Sequence, residues 1–383
     1  MMANLNQKSK PNIAILGAGL VGRMLAVSLA KDVDQACDIT LYDQDDGHAT
    51  QSAGWLAAAM LSPAAESADA SIDIMHMGER ALRLWPEFLA QLSTPVFFQQ
   101  QGSLVLAFEQ DMGDLQQFKT RLKSTDYTLV NAQDILELEP GINRRFSHGV
   151  FLPNEGQLDN RGLLLALKTE LVSLGVTWHT QQTIALTATG YSANHTPLPQ
   201  FDWVFDCRGL GAKPLNAVPA SMSGIAKAHC ELRGVRGEVI RLHAPQVHLT
   251  RPVRLMHPRY PLYIAPKPNG VFVVGATQLE SQDLRLPTVR SALELLSACF
   301  SVHSGFAEAE ILSMDAGLRP TYVNNEPRIV VQNRTVSVNG LYRHGYLLAP
   351  LMVQACKQIV QGIQDDSLRD LLQFTEFSYA RFG

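Results

Sequence analysis

Three glycines near the start of the chain, in "NIAILGAGLVGRMLAVSLAKD", stand at Gly17, Gly19 and Gly22 in the spacing G-x-G-x-x-G. That spacing suits phosphate binding. One glycine permits a tight turn, the next lets backbone amides approach a pyrophosphate, and the third lets a helix pack closely on a strand. The flanking residues supply both elements: Ile13 to Leu16 read as a short buried strand, and a helix follows from about Leu20 with its positive dipole end toward the phosphates. A second strand, "DITLYD", runs from Asp38 to Asp43. It ends in an acid about 20 residues past the last glycine, the spacing of a carboxylate on a ribose hydroxyl, so Asp43 takes that role. The pattern predicts a dinucleotide site, and NAD and FAD share it.

The stretch that follows, "QDDGHATQSAGWLAAAMLSPAAE", carries small side chains from Ser52 to Met60. Such a run lets the backbone lie against a flat, extended ligand such as an isoalloxazine; an Ala-rich helix is the alternative on propensity alone. Further on, "FDWVFDCRGLGAK" (Phe201 to Lys213) reads as a strand returning to the nucleotide sheet and ending in Gly209 and Gly211. A return after so long an interval implies a discontinuous nucleotide domain with a second domain inserted.

Other side chains suggest chemistry on a small anionic substrate. In "MDAGLRPTY", Arg319 lies between Leu318 and Pro320, where a bare charge is costly unless paired. Its planar fork matches a carboxylate, and internal carbonyls or an internal acid would satisfy it equally. Tyr263, in "PLYIAP", sits in a strand and either packs its ring or offers its hydroxyl to a ligand. "LYRHGYLLAPLMVQACKQIV" puts Arg343, His344 and Gly345 ahead of an amphipathic helix whose first amides need a partner.

Together these segments resemble the D-amino-acid oxidase superfamily of FAD enzymes, and within it the glycine oxidases of thiamine biosynthesis. The matching elements are "GAGLVG" with "LYD", "SAGWLAAAMLSPAAE", "DCRGLGAK", "VRGEVIRL", "LYIAPKPNGVFVVGAT", "GLRP" and "GLYRHGYLLAP", in the family's order along nearly the whole chain. The resemblance implies an α/β fold: a discontinuous Rossmann-like FAD-binding domain (residues 1–85, 145–215 and 313–383) and an α+β substrate domain with a mostly antiparallel sheet (86–144 and 216–312). Local patterns agree, with Val/Ile/Tyr/Phe-rich strands, a Pro-Asn-Gly hairpin between Lys267 and Val271, and helical periodicity in "SALELLSACF".

The resemblance also implies roles. Arg319 holds a substrate carboxylate, Tyr263 bonds its second oxygen, and Arg343 stands near substrate and flavin. Gln278 replaces the family's methionine beside the substrate; it could bond an amine or a longer side chain, or face solvent at a strand end. Non-covalent FAD would contact Gly17, Ala18, Gly19, Leu20, Val21 and Gly22, then Asp43, Gln44, Ser52, Ala53, Ala57, Ala58, Ala59 and Met60. Further contacts would come from Ile184 and Gly209, and from Leu341, Tyr342, Arg343, His344, Gly345, Tyr346 and Leu347. Gly345 would let the chain turn closely at the ring. His344 stands where the family carries Asn and is assigned no catalytic task. His48 lacks the Trp-His context of covalent flavin attachment.

No acid–base dyad is visible near these motifs. The expected reaction is hydride transfer from Cα of glycine or another small amino acid to FAD, giving an imine, with oxygen as acceptor and hydrogen peroxide as product. A D-amino-acid dehydrogenase that feeds a quinone and a non-catalytic flavin-binding assembly factor are the other readings. Relatives of this kind often form homo-oligomers.

Composition agrees. The chain has 383 residues, 46% hydrophobic and 18% charged, with net charge −4; this length predicts two domains, and the absence of charge blocks argues against nucleic acid or an anionic membrane as partner. Its five cysteines form no C-x-x-C pair, which disfavours a metal site and fits a reducing, cytoplasmic compartment. The lysine-bearing start is followed by an apolar stretch interrupted by Arg23 and glycines, unlike a secretory signal. The longest apolar run, "AGWLAAAMLSPAA", stops at Pro63 and Glu66, short of the ~20 residues that span a bilayer.

Overall fold

Ile13, Ala14, Ile15 and Leu16 are all fully buried. The strand Asn12–Leu16 therefore has apolar neighbours on both faces, as parallel pairing in a covered sheet requires. It lies inside a six-stranded sheet of the order Arg328–Gln332, Thr335–Asn339, Trp203–Asp206, Asn12–Leu16, Asp38–Tyr42 and Thr177–His179. All neighbours run parallel except the Arg328–Gln332 and Thr335–Asn339 pair. Helices Leu20–Ala30, Ile72–Leu89, Asn160–Ser173 and Gly345–Gln361 contribute most of the associated core. This computed structural model describes residues 10–32, 36–187, 190–214, 224–257 and 261–362.

A second, eight-stranded sheet runs Glu310–Thr321, Arg233–His243, Val271–Gly275, Leu262–Lys267, Val253–Leu255, Ser103–Leu106, His148–Leu152 and Thr128–Asn131. Only the pairing of Val253–Leu255 with Ser103–Leu106 is parallel among its neighbours. Helix Val289–Val302 buries Leu295 and Cys299 in a separate core with Ile240, Ile264 and Phe272. The expected hairpin between Lys267 and Val271 is present, with positive φ at Asn269 and Gly270. Asn and Gly tolerate that conformation best.

The structure corrects several boundaries. Residue 86 falls inside helix Ile72–Leu89, and residue 313 inside strand Glu310–Thr321, which pairs along its length with Arg233–His243. Strand His148–Leu152 belongs to the eight-stranded sheet and not to the nucleotide sheet expected from residue 145 onward. The expected boundary at 215/216 and residues 1–9 lie outside the described residues. The Ala-rich stretch is not a continuous helix: it makes one turn, Ala53–Leu56, and then runs extended into Met60–Leu61 with positive φ at Ala59. No helix among the described residues is long and apolar enough to cross a membrane.

Candidate active site

The glycine turn is shaped by contacts that no other residue satisfies. Gly17 has φ +95°, and a Cβ there would lie 2.8 Å from both Arg208 Cα and the Cys207 carbonyl oxygen. A Cβ on Gly22 would lie 1.9 Å from the Gly17 carbonyl oxygen. Helix Leu20–Ala30 starts at Gly19 with no side-chain cap, which leaves its first amides for a ligand. Arg23, fully buried, fixes the turn from behind by donating to Ala18 O at 2.7 Å, Leu164 O at 2.8 Å and Gly47 O at 3.1 Å. Asp43 stands one residue past strand Asp38–Tyr42; its carboxylate accepts from the Ala18 and Asp45 amides, and burial raises its pKa.

From this turn a cavity of about 760 Å³ extends past the small side chains of Ser52–Met60 to Tyr263, Gln278, Arg319 and Arg343. Its walls include all the proposed cofactor contacts except Gly22, which packs helix on strand, and His344. Ile184 and Gly209 face it from the nucleotide side, and Leu341, Tyr342, Gly345, Tyr346 and Leu347 close it. The turn before the last helix is not made at Gly345. Positive φ falls at Gly340 (76°) and Tyr342 (51°), while a Cβ on Gly345 would meet no protein atom within 4 Å. Gly345 instead presents bare backbone to the cavity.

Arg319 is partly buried on strand Glu310–Thr321, with its guanidinium over Gly237, where a Cβ would come within 2.6 Å of three of its atoms. It donates to Arg236 O at 3.3 Å and Thr277 O at 3.2 Å. Among the described residues it has no ion-pair partner, and burial lowers its pKa. Tyr263, whose pKa burial raises, lines the same end of the cavity. Gln278 is exposed at its side and accepts from Arg343 at 3.3 Å.

Residues 12–356 match the family described as FAD dependent oxidoreductase, DAO. The chain belongs to that family. A protein of Rhizobium etli that carries the name thiamine biosynthesis oxidoreductase ThiO is 35% identical over 89% of this chain and 93% of its own. The crystal structure of glycine oxidase from Bacillus cereus superposes with a TM-score of 0.77 at 21% identity, covering 94% of this chain and 100% of that one. Iminodiacetate oxidase from Chelativorans gives 0.75 at 21% identity, covering 95% and 99%.

The cofactor is FAD, and the residues present fit it. The Gly17 and Gly19 backbone and the uncapped helix start suit a pyrophosphate, Asp43 suits a ribose hydroxyl, and the bare backbone at Gly345 leaves room for a flat ring. His48 is exposed and does not line the cavity.

A cluster of ionised groups, absent from the sequence-based expectation, adjoins the reacting end. Glu66, 8% exposed, accepts from Arg343 and Arg254, each at 3.1 Å, and lies 3.4 Å from His344 Nδ1. Burial opposes its charge, but Arg343 and Arg254 prevail and hold its pKa down to about 2. Burial costs the Arg343 cation too; Glu66 more than offsets it and raises that pKa. His344 is pushed down to about 4, chiefly by burial, so it is neutral at pH 7. Its side chain does not join the cofactor contacts expected of it; it turns toward Glu66 and a neighbouring chamber. The one local sign of Glu66 is an acid ending a run of small residues.

Glu66→Gln keeps the shape and removes the charge that holds two arginines. The folded pKa is below the unfolded value of 4.5, so this stabilisation is present above pH 4.5 and fades as the pH falls toward about 2. The shift corresponds to about 3 kcal/mol as an upper bound. Urea unfolding should show the variant clearly less stable than the parent at pH 7, with the difference shrinking below pH 4.5. A difference that is constant with pH would mean Glu66 acts by packing alone.

Proposed function

We propose that this chain is an FAD-dependent oxidase of glycine or another small amino acid or secondary amine acid. Oxygen is the electron acceptor and hydrogen peroxide the product. When bound, FAD supplies the acceptor for a hydride from the substrate Cα. The observation that carries this reading is the convergence of Arg319, Arg343 and Tyr263 at the end of a cavity whose other end is the glycine turn.

In this reading Arg319 holds the substrate carboxylate. Two of its donors are on carbonyls and the rest remain available, so an incoming carboxylate offsets the burial of the cation by paired, charge-assisted hydrogen bonds. Tyr263 offers its hydroxyl to the second oxygen. Arg343 is fixed by Glu66, and the two guanidinium groups disfavour the ammonium form of a bound amine, leaving the nitrogen lone pair free. The amides of Gly345, Tyr346 and Leu347, at the positive end of helix Gly345–Gln361, favour negative charge in the part of the cavity they line. The relatives named for glycine and iminodiacetate oxidation fit such a substrate class.

The test is peroxide formation by the purified yellow protein with glycine, sarcosine, D-alanine and D-proline. Peroxide from at least one is expected. A protein inert to all four in air, yet bleached by an amine without oxygen, overturns the assignment of oxygen and favours a dehydrogenase.

A further inference from the structure

Arg254, on strand Val253–Leu255, lines the reaction cavity and is 5% exposed. Among the described residues its guanidinium makes one hydrogen bond, from Nη2 to Glu66 Oε1 at 3.1 Å, and its buried Nε has no partner. A guanidinium carries five donors and keeps its charge in a protein, so burying it on one bond is costly. Other arginines avoid that cost. Arg23 and Arg236, equally buried, each donate to three different residues.

The sheet fixes where these unmet donors stand. Arg254 is paired directly opposite Tyr263, and Tyr263 opposite Gly275, so the Arg254 and Tyr263 side chains are neighbours on one face. A Cβ on Gly275 would lie 2.9 Å from the Tyr263 hydroxyl, so the glycine makes room for that ring. Arg254 therefore belongs to the end of the cavity where Tyr263, Arg319 and Arg343 meet.

Charge at this end is unbalanced, because Arg254 and Arg343 share the single carboxylate of Glu66 and Arg319 has no acid. The other acids nearby are engaged. Asp69 lies 3.1 Å from Arg121 and 3.7 Å from Arg343, and Asp315 lies 3.7 Å from Arg161. Glu155 does not line the cavity and makes no ion pair with Arg254 among the described residues; it accepts from the Ala65 amide at 2.7 Å and from the Ser103 hydroxyl, and burial raises its pKa. Positions 258–260, outside the described residues, contain no acid.

We propose that Arg254 is a second anion-binding residue, and that the substrate is an amino acid or N-substituted glycine carrying a further carboxylate beyond the reacting Cα–N unit. The free donors of Arg254 take that carboxylate through charge-assisted bonds while Nη2 stays on Glu66. This rests on the reading above, in which Arg319 holds the first carboxylate of the same molecule.

The experiment compares thiodiacetate with (isobutylthio)acetate, alike in shape and differing in the second carboxylate, by calorimetric titration of the FAD-loaded protein. Neither has the amine that turnover requires, so binding alone is read. Thiodiacetate should bind at least about tenfold more tightly, and raising salt from about 0.02 M to about 0.5 M should erode that preference. In Arg254→Met, with retained flavin absorbance as the check on folding, the preference should fall below about threefold; Arg254→Lys, which keeps the charge without the fork, should retain part of it. Equal affinities in the parent protein overturn the proposal, as does a preference that either variant keeps in full. Iminodiacetate should be oxidised with a higher kcat/KM than glycine. If neither releases peroxide while the Arg254-dependent preference stands, the oxidase reading fails and the second anion site is upheld.

Discussion

Arg319→Ala is expected to lower kcat/KM for the amino-acid substrate by roughly a hundred- to ten-thousand-fold while FAD stays bound. Two charge-assisted hydrogen bonds to a carboxylate contribute about 1.5–3 kcal/mol each, and every 1.4 kcal/mol is tenfold. Most of the loss should appear in KM, because the carboxylate is held alike before and during reaction. Arg319→Lys should recover only part of it, since an ammonium lacks the planar fork and cannot also keep the carbonyls of Arg236 and Thr277 in place. Flavin absorbance should be unchanged, because the hydrogen bonds of Arg319 go to the carbonyls of Arg236 and Thr277 and not to the glycine turn. Loss of the flavin, with or without loss of turnover, would place the Arg319 side chain in the cofactor's support and sink the carboxylate assignment.

How much of this was legible beforehand follows from the range of the interactions. The glycine turn, Asp43 and the strand–helix pair form a local unit, and the structure has strand Asn12–Leu16, the turn and helix Leu20–Ala30 in that order. The hairpin at Asn269 and Gly270 is local as well. Glu66 is different: its partners Arg343 and Arg254 stand 277 and 188 positions away in the chain. No spacing rule joins residues so far apart, and a Glu at the end of a four-residue helical turn looks like a solvated acid until the sheet brings two arginines to it.

The Ala-rich stretch shows the reverse effect. Propensity favours a helix there, yet Leu158 N donates to Ala59 O at 3.1 Å and Met60 pairs with Gln157, so a partner strand draws the segment out straight. The domain limits were misplaced for a related reason. Strand Glu310–Thr321 carries Arg319 near one end and is paired throughout with Arg233–His243, so residues 313–321, expected in the nucleotide domain, sit on the other sheet. Tertiary pairing decided each of these cases.

Gly22→Ala should abolish FAD retention more surely than any change on the cavity wall. A Cβ at this position would lie 1.9 Å from the Gly17 carbonyl oxygen, where Cβ contacts below 3.0 Å are essentially never seen. The clash is with backbone, so no rotamer relieves it; helix Leu20–Ala30 must withdraw from strand Asn12–Leu16 by about an ångström or the turn must open. Either movement takes the Gly19 and Leu20 amides away from the phosphates they are placed to meet. The second sheet has its own buried core around Ile240, Ile264 and Phe272 and should remain folded. The expected preparation is therefore colourless, with circular dichroism close to that of the parent, and it should regain flavin absorbance only at high added FAD. A yellow Gly22→Ala protein with normal FAD affinity would show that the close helix–strand contact is dispensable, and that the turn binds by some geometry other than the one its glycines impose.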